Sequence, residues 1–145
     1  MTKIEIKPVN NNSIDFVVDY ILKCNFKKYS IIQFKKIKEK YLKRLESESY
    51  RCYVASIDEK IVGFVDLDVR RSDCLNTIWI NEIYVLKSYR CLKIGTKLIK
   101  YAEKMAKNLG FDAIYMNTEP NNRACLNLVE KKGYKYVQFI LKKKI

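Results

Sequence analysis

Between Thr77 and Asn117 the hydrophobic period of the chain passes from two to 3.6 and back to two, and that order leaves few ways to fold. Thr77 to Val85 reads as a strand. Through the Tyr89-Arg90 region it gives way to a long amphipathic helix with Ile94, Leu98, Tyr101, Ala102, Met105 and Leu109 as its buried stripe and Gly110 where a C-cap glycine belongs. A short apolar strand, Ala113 to Asn117, follows, ahead of a breaker at Pro120. Strand, helix and strand in succession form a crossover, which lays its two strands parallel in one sheet.

The rest of the chain favours antiparallel pairing. Ile4-Glu5-Ile6-Lys7 alternates and is stopped by Pro8. Ser13 offers an N-cap to a helix with Ile14, Val17, Val18, Ile21 and Leu22 on its apolar face, and a second helix after Ser30 spaces Phe34, Ile37, Tyr41 and Leu45 by three and four, with lysines on its other face. Cys52 to Ile57, a turn at Asp58-Glu59-Lys60, and a longer strand with Ile61, Gly63, Val65, Leu67 and Val69 on one face make a hairpin. A helix from about Asn122 to Lys132 is closed by Gly133, and Tyr134 to Lys142 is expected as a last strand with a lysine tail. The sum is an α+β, three-layer fold: a mixed, mostly antiparallel twisted sheet flanked by about four helices. With no repeat or linker in view, residues 1–145 are expected to form a single domain.

A chain of 145 residues, 48% of them apolar or aromatic and only two of them proline, buries a core, which excludes disordered and low-complexity classes. Its formal charge of +13 favours anionic partners. The absence of histidine removes Ser-His-Asp and Cys-His nucleophile arrangements and every histidine-containing metal site. Cys24, Cys52, Cys74, Cys91 and Cys125 are odd in number and never in C-x-x-C spacing, so neither a zinc knuckle nor a disulfide framework is expected, and no metal. A reducing, cytoplasmic setting fits. No stretch approaches the roughly 18 apolar residues of a membrane span, so no membrane partner is expected.

The most informative segment runs from Ile83-Tyr84-Val85 through Arg90-Cys91-Leu92-Lys93-Ile94-Gly95-Thr96 to Lys97-Leu98. A strand enters a basic, glycine-containing turn that opens a helix, and the free amides at such a helix start bind anions. Arg90, Lys93 and Lys97 add cations, and Gly95 lets the backbone approach a ligand closely. The same pattern also suits an ordinary turn with solvated lysines.

Here the chain resembles the GNAT superfamily of acyl-CoA-dependent N-acyltransferases over nearly its whole length. The family's Arg/Gln-x-x-Gly-x-Gly/Ala motif is similar to Arg90-Cys91-Leu92-Lys93-Ile94-Gly95, Ile83-Tyr84-Val85 looks like its preceding strand, and its Asn followed eleven residues later by Gly-Phe or Gly-Tyr is similar to Asn122 and Gly133-Tyr134. The resemblance implies a splayed parallel strand pair around acetyl-CoA. The amides of Cys91, Lys93, Ile94, Gly95 and Thr96, with Arg90, would hold its pyrophosphate, the main chain of Ile83 and Val85 its pantetheine arm, and Asn122 that arm from the other side. The Val85 amide would polarise the thioester carbonyl and stabilise the oxyanion.

Two positions depart from the family pattern. Lys93 stands at the first motif glycine, where a negative φ is harmless and a positive φ strained. Val129, seven residues after Asn122, stands where many members carry the tyrosine that protonates the departing thiolate. A thiol of pKa about 8.5 leaves largely unaided, with Cys125 and Tyr84 as weak substitutes. A lysine-like amine of pKa about 10.4 needs a base, and Glu82, three residues before Val85, is the candidate. Asp66 and Asp68 share one face of the neighbouring strand, so with Glu82 they could form an acidic cluster for a cationic amine.

The expected activity is acetyl transfer from acetyl-CoA to a primary amine, on a small molecule or a peptide, by direct attack in a ternary complex. The rival is a catalytically weak or inactive basic module of the same fold that binds nucleic acid or ribosome. It is disfavoured because the lysine-rich helix and Lys142-Lys143-Lys144 come with no base-stacking motif. An acidic or a cationic acceptor, and a homodimer, stay open.

Overall fold

The structure is a computed structural model that describes residues 3–145. Its order is β1 (Ile4–Pro8), α1 (Ile14–Asn25), α2 (Ile31–Leu45), β2 (Tyr50–Ile57), β3 (Lys60–Arg70), β4 (Thr77–Val85), a single 3-10 turn at Lys87–Tyr89, α3 (Ile94–Asn108), β5 (Ala113–Met116) and α4 (Arg123–Glu130). The strands form one sheet in sequence order, antiparallel from β1 to β4 and parallel between β4 and β5. The crossover helix α3 supplies that parallel pair, as its place between two strands requires.

Sequence signals set the start of α2 and the end of α3, whereas Ser13, expected to cap α1, makes no side-chain cap and accepts instead from the Asn10 N–H at 2.8 Å. Ser30 and Gln33 complete a reciprocal capping box at the start of α2, the side chain of each accepting from the backbone of the other. Gly110 ends α3 with φ +68. The sheet divides the core in two. On one face Ile94, Leu98, Ala102 and Met105 of α3 pack on Val65, Leu67, Ile78 and Ile80, and on the other α1 and α2 cover Cys52, Val54 and Phe64. α2 is only half-buried, so its lysines form a solvated outer surface.

Two expectations are corrected. The β2–β3 turn is two residues, Asp58 and Glu59, both with positive φ, and Val62 is an extra residue in β3, because Ala55 pairs with Gly63 while Ser56 pairs with Ile61. This bulge reverses the pleat, so Ile61 turns towards α1 and α2, and Val62 takes the place expected for it beside Val65 and Leu67. The last strand does not form either. After Gly133 (φ +87) residues 134–145 carry no ladder, and Tyr136, Val137, Phe139, Ile140 and Leu141 are exposed. Their aromatic and β-branched character is a strand preference only against a partner, and β5 offers four residues whose outer edge this segment does not meet.

Candidate active site

The pairing of β4 with β5 ends at Ile80 and Met116, and β4 continues to Val85 without a neighbour on that side. Leu86 donates its N–H to the Val62 carbonyl of β3, so by strand alternation the main-chain groups of Val85 and Ile83 face the open side. The Val85 carbonyl accepts from Arg90 Nε at 3.1 Å, which leaves the Val85 N–H free.

The strand then turns through Lys87–Tyr89 into the start of α3. Cys91 (φ +66) and Lys93 (φ +63) are both left-handed, and Lys93, the N-cap, makes no side-chain cap. The first helical bond runs from the Lys97 N–H to the Lys93 carbonyl, so the amides of Ile94, Gly95 and Thr96 have no acceptor within the helix. They form an electropositive cradle beside exposed Arg90, Lys93 and Lys97. Lys93 therefore carries the strain that a glycine would avoid. A Cβ added at Gly95 would come within 3.2 Å of Leu128 Cδ2 and of nothing else within 4 Å. Gly95 thus lets α4 close on α3 as well as leaving the cradle open.

Across the opening, Asn122 caps α4, its Oδ1 accepting from the Cys125 N–H at 3.1 Å. Cys125 is half-buried with its Sγ 3.5 Å from Met116 Sδ at the end of β5, and Val129 is buried. Thr118 Oγ1, two residues beyond β5, is buried with no hydrogen-bond partner. A free strand edge leading into an uncapped basic helix start suits an elongated ligand with an anionic portion and an amide-bearing arm, which is the chemistry of a coenzyme A thioester.

Glu82 and Tyr84 point to the opposite face of the sheet. Tyr84 stacks on Tyr20 of α1, with ring centroids 4.2 Å apart, and is flanked by Phe16 and Phe64. Glu82 sits at a second bulge: Asp66 pairs with Glu82 and Leu67 with Ile80, so Asn81 is the extra residue. Its carboxyl stays open to solvent on one side, and Tyr20 Oη donates to it at 3.4 Å. Desolvation by the surrounding protein raises its pKa above the usual carboxylate value, against the opposing effect of the Tyr20 hydrogen bond.

The expected acidic cluster separates into three roles. Asp68 is tied to Arg44 at 3.4 Å, and Asp66 is 2% exposed, leaving Glu82 as the accessible carboxyl. Asp66 Oδ2 accepts from the Tyr50 hydroxyl at 2.6 Å and Oδ1 from the Glu82 N–H at 2.9 Å. Desolvation pushes its pKa up to about 6, with the Glu82 charge adding to the rise and the Tyr50 hydrogen bond opposing it. Tyr20 and Tyr50 were not singled out from the sequence. For Tyr20 the only signal was its i+4 spacing from Phe16 on the edge of the α1 stripe.

The family model described as "Acetyltransferase (GNAT) family" matches residues 14–134. The chain is 37% identical over 89 residues to the "Probable N-acetyltransferase camello" of Xenopus tropicalis, covering 61% of this chain and 40% of that protein. It is 31% identical over 87 residues to the streptothricin acetyltransferase of Escherichia coli, covering 60% and 48%. The chain thus spans less than half the length of these two relatives. Among solved structures, an aminoglycoside N-acetyltransferase, AAC(6')-Iy, in complex with CoA superposes with a TM-score of 0.79 over 100% of this chain and 96% of that one, at 16% identity. With the family model spanning most of the sequence and the sheet opening in its mixed pair beside a basic helix start, this chain belongs to the GNAT acetyltransferase family.

Proposed function

We propose that the protein is an acetyl-CoA-dependent N-acetyltransferase that acts on a primary amine within a ternary complex. The observation that carries the reading is the free edge of β4 at Ile83 and Val85 leading directly into the uncapped, basic start of α3. When bound, acetyl-CoA supplies an activated acetyl thioester. The amides of Cys91, Lys93, Ile94, Gly95 and Thr96 hold its pyrophosphate, with Lys93 and Lys97 adding charge. Ile83 and Val85 pair with the pantetheine arm and the Asn122 side chain meets it from α4. Arg90 fixes the Val85 carbonyl, so the Val85 N–H is the donor left to polarise the acyl carbonyl.

Glu82 takes the proton of the incoming ammonium, directly or through one water. Its raised pKa brings it closer to the working range of a general base at neutral pH. The five free thiols suit a reducing compartment, so the same reading puts the protein in the cytoplasm.

The test is a thermal-shift titration with acetyl-CoA and free CoA, followed by thiol-release assays on a panel of aminoglycosides, streptothricin and peptides with free α-amino or lysine side-chain amines. A ligand that binds only the folded state raises its melting temperature. No shift at millimolar donor would overturn the reading, and a shift without turnover on any amine would turn it towards the binding module.

A further inference from the structure

We propose that Asp66 is a positioning residue: its buried carboxylate holds the β4 bulge from the β3 side and so aims the Glu82 carboxyl and fixes where the free edge of β4 begins. The inference rests on the reading of Glu82 as the base.

In a regular antiparallel ladder the Glu82 N–H, which faces β3 by the same alternation as Leu86, would donate to a main-chain carbonyl of the partner strand. Asn81 breaks that register, and the Asp66 side chain supplies the acceptor instead, at 2.9 Å. The carboxylate cannot swing away. Its second oxygen is held at 2.6 Å by Tyr50, itself 3% exposed, with the Tyr41 ring edge-on to it and the Arg44 guanidinium 4.0 Å from its ring centroid. Tyr20 reaches the Glu82 carboxyl from the other side. Glu82 is thus located through its main chain by Asp66 and through its side chain by Tyr20.

Packing alone does not account for a carboxylate there. A buried charge is often replaced by an apolar residue without loss, and Phe64 and Val54 fill neighbouring positions on this face. An apolar residue at 66 would leave the Glu82 N–H without an acceptor. The bulge also lies one residue beyond Ile80, the last residue of β4 paired to β5, so whatever holds it also sets the start of the unpaired edge.

The test uses the full chain with Asp66→Ala, Asp66→Asn, Tyr50→Phe, Glu82→Gln and the Asp66→Ala/Glu82→Gln pair. Hydrogen exchange of the Glu82 amide is followed by NMR, and acetyl transfer is assayed with ethylamine, protonated at neutral pH, and hydroxylamine, which is neutral. Asp66→Ala is expected to lower Glu82 amide protection at least about tenfold, while Asp66→Asn, whose amide oxygen can accept the same bond, keeps it within about threefold. With ethylamine, Asp66→Ala lowers kcat about tenfold or more with a much smaller change on hydroxylamine, and adds no further loss once Glu82 is Gln.

Unchanged amide protection in Asp66→Ala, or losses that multiply in the double variant, would overturn the proposal. If Glu82→Gln leaves ethylamine transfer intact, the base reading fails, and the amide protection alone then decides whether Asp66 holds the bulge. Should Asp66→Ala not fold, Tyr50→Phe releases only Oδ2. It is expected to lower ethylamine kcat about threefold, an effect absent in the Glu82→Gln background, and an equal loss there would overturn the proposal.

Discussion

Under the proposed function, replacing Lys93 with glycine should stabilise the protein and weaken acetyl-CoA binding at once. Lys93 sits at φ +63 and ψ +19, a conformation that costs an L-residue about 1–2 kcal/mol. Glycine removes that cost but brings a more flexible unfolded chain, which offsets about 0.4–1 kcal/mol. The net gain is centred on about 0.8 kcal/mol, and at about 2–4 °C per kcal/mol for a chain of this size the apo melting temperature should rise by about 2–3 °C. Loss of the exposed ammonium beside the phosphate cradle should weaken acetyl-CoA binding about two- to fivefold, the scale of a solvent-exposed ion pair, and flatten its salt dependence. Lys93→Ala is the control, because it removes the charge and keeps a Cβ in the left-handed conformation. It should show the same loss of affinity without the rise in melting temperature. Calorimetric melting and titration of the three proteins at two salt concentrations check both signs. A glycine variant that melts no higher than wild type, or an alanine variant that gains as much, would refute the strain argument.

Gly95→Val should weaken acetyl-CoA binding more than Arg90→Ala does, since it crowds both the cradle and Leu128 Cδ2, whereas Arg90→Ala removes one partly solvated charge; titration of both folded variants checks this, and equal small effects would detach the turn from the cofactor. Val129→Tyr should lower stability by about 1–3 kcal/mol without raising kcat, because Val129 is 6% exposed and the ring overfills its site. Cys125→Ala should leave kcat within about twofold, as expected of a packing thiol against Met116 rather than a proton donor; steady-state rates on the best amine of the panel test both. For pH, Asp66 has its folded pKa raised to about 6 from an unfolded value near 3.8, so its ionisation destabilises the fold: the favourable state is complete below about pH 4 and is lost as pH rises towards 6. The difference in unfolding free energy between wild type and Asp66→Asn should therefore shift against wild type from pH 4 to 7, and a flat difference would refute the burial argument.

How far the sequence could be read follows from the range of each interaction. The β2–β3 hairpin, the crossover with its parallel strand pair, the start of α2 after Ser30 and the end of α3 at Gly110 are written in neighbouring residues, and the structure places them where the spacing predicts. The cradle was legible for the same reason, since a helix start and its basic side chains lie within one stretch from Arg90 to Lys97. The two bulges were not. Val62 and Asn81 are ordinary strand residues, and only the register between partner strands makes them extra, so the sequence placed Ile61 on the wrong face and gave no hint that Glu82 draws its hydrogen-bond acceptor from Asp66. The tail failed for a related reason: strand preference is local, but the partner that would satisfy it is not.

Val129 shows the same limit at the site itself. A missing tyrosine is visible in a motif, but a motif cannot say what stands near the departing sulfur in its place. In the structure the candidate donors divide between the two faces of the sheet. Tyr84 and Tyr20 stack on the α1 side with Glu82, and burial holds the Tyr20 phenol well above its ordinary pKa, which makes it a poor acid. Cys125 lies at the end of β5 with its sulfur against Met116. Under the proposed function, the groups that crowd this site therefore favour removal of a proton from the amine over delivery of one to the thiolate, and a thiol of pKa about 8.5 can leave without that delivery. On this arrangement the rate should depend more steeply on the pKa of the amine offered than on that of the thiol released. A panel of amines of graded basicity assayed with acetyl-CoA, beside acetyl thioesters of graded thiol acidity, separates the two, and a steeper dependence on the thiol would refute it.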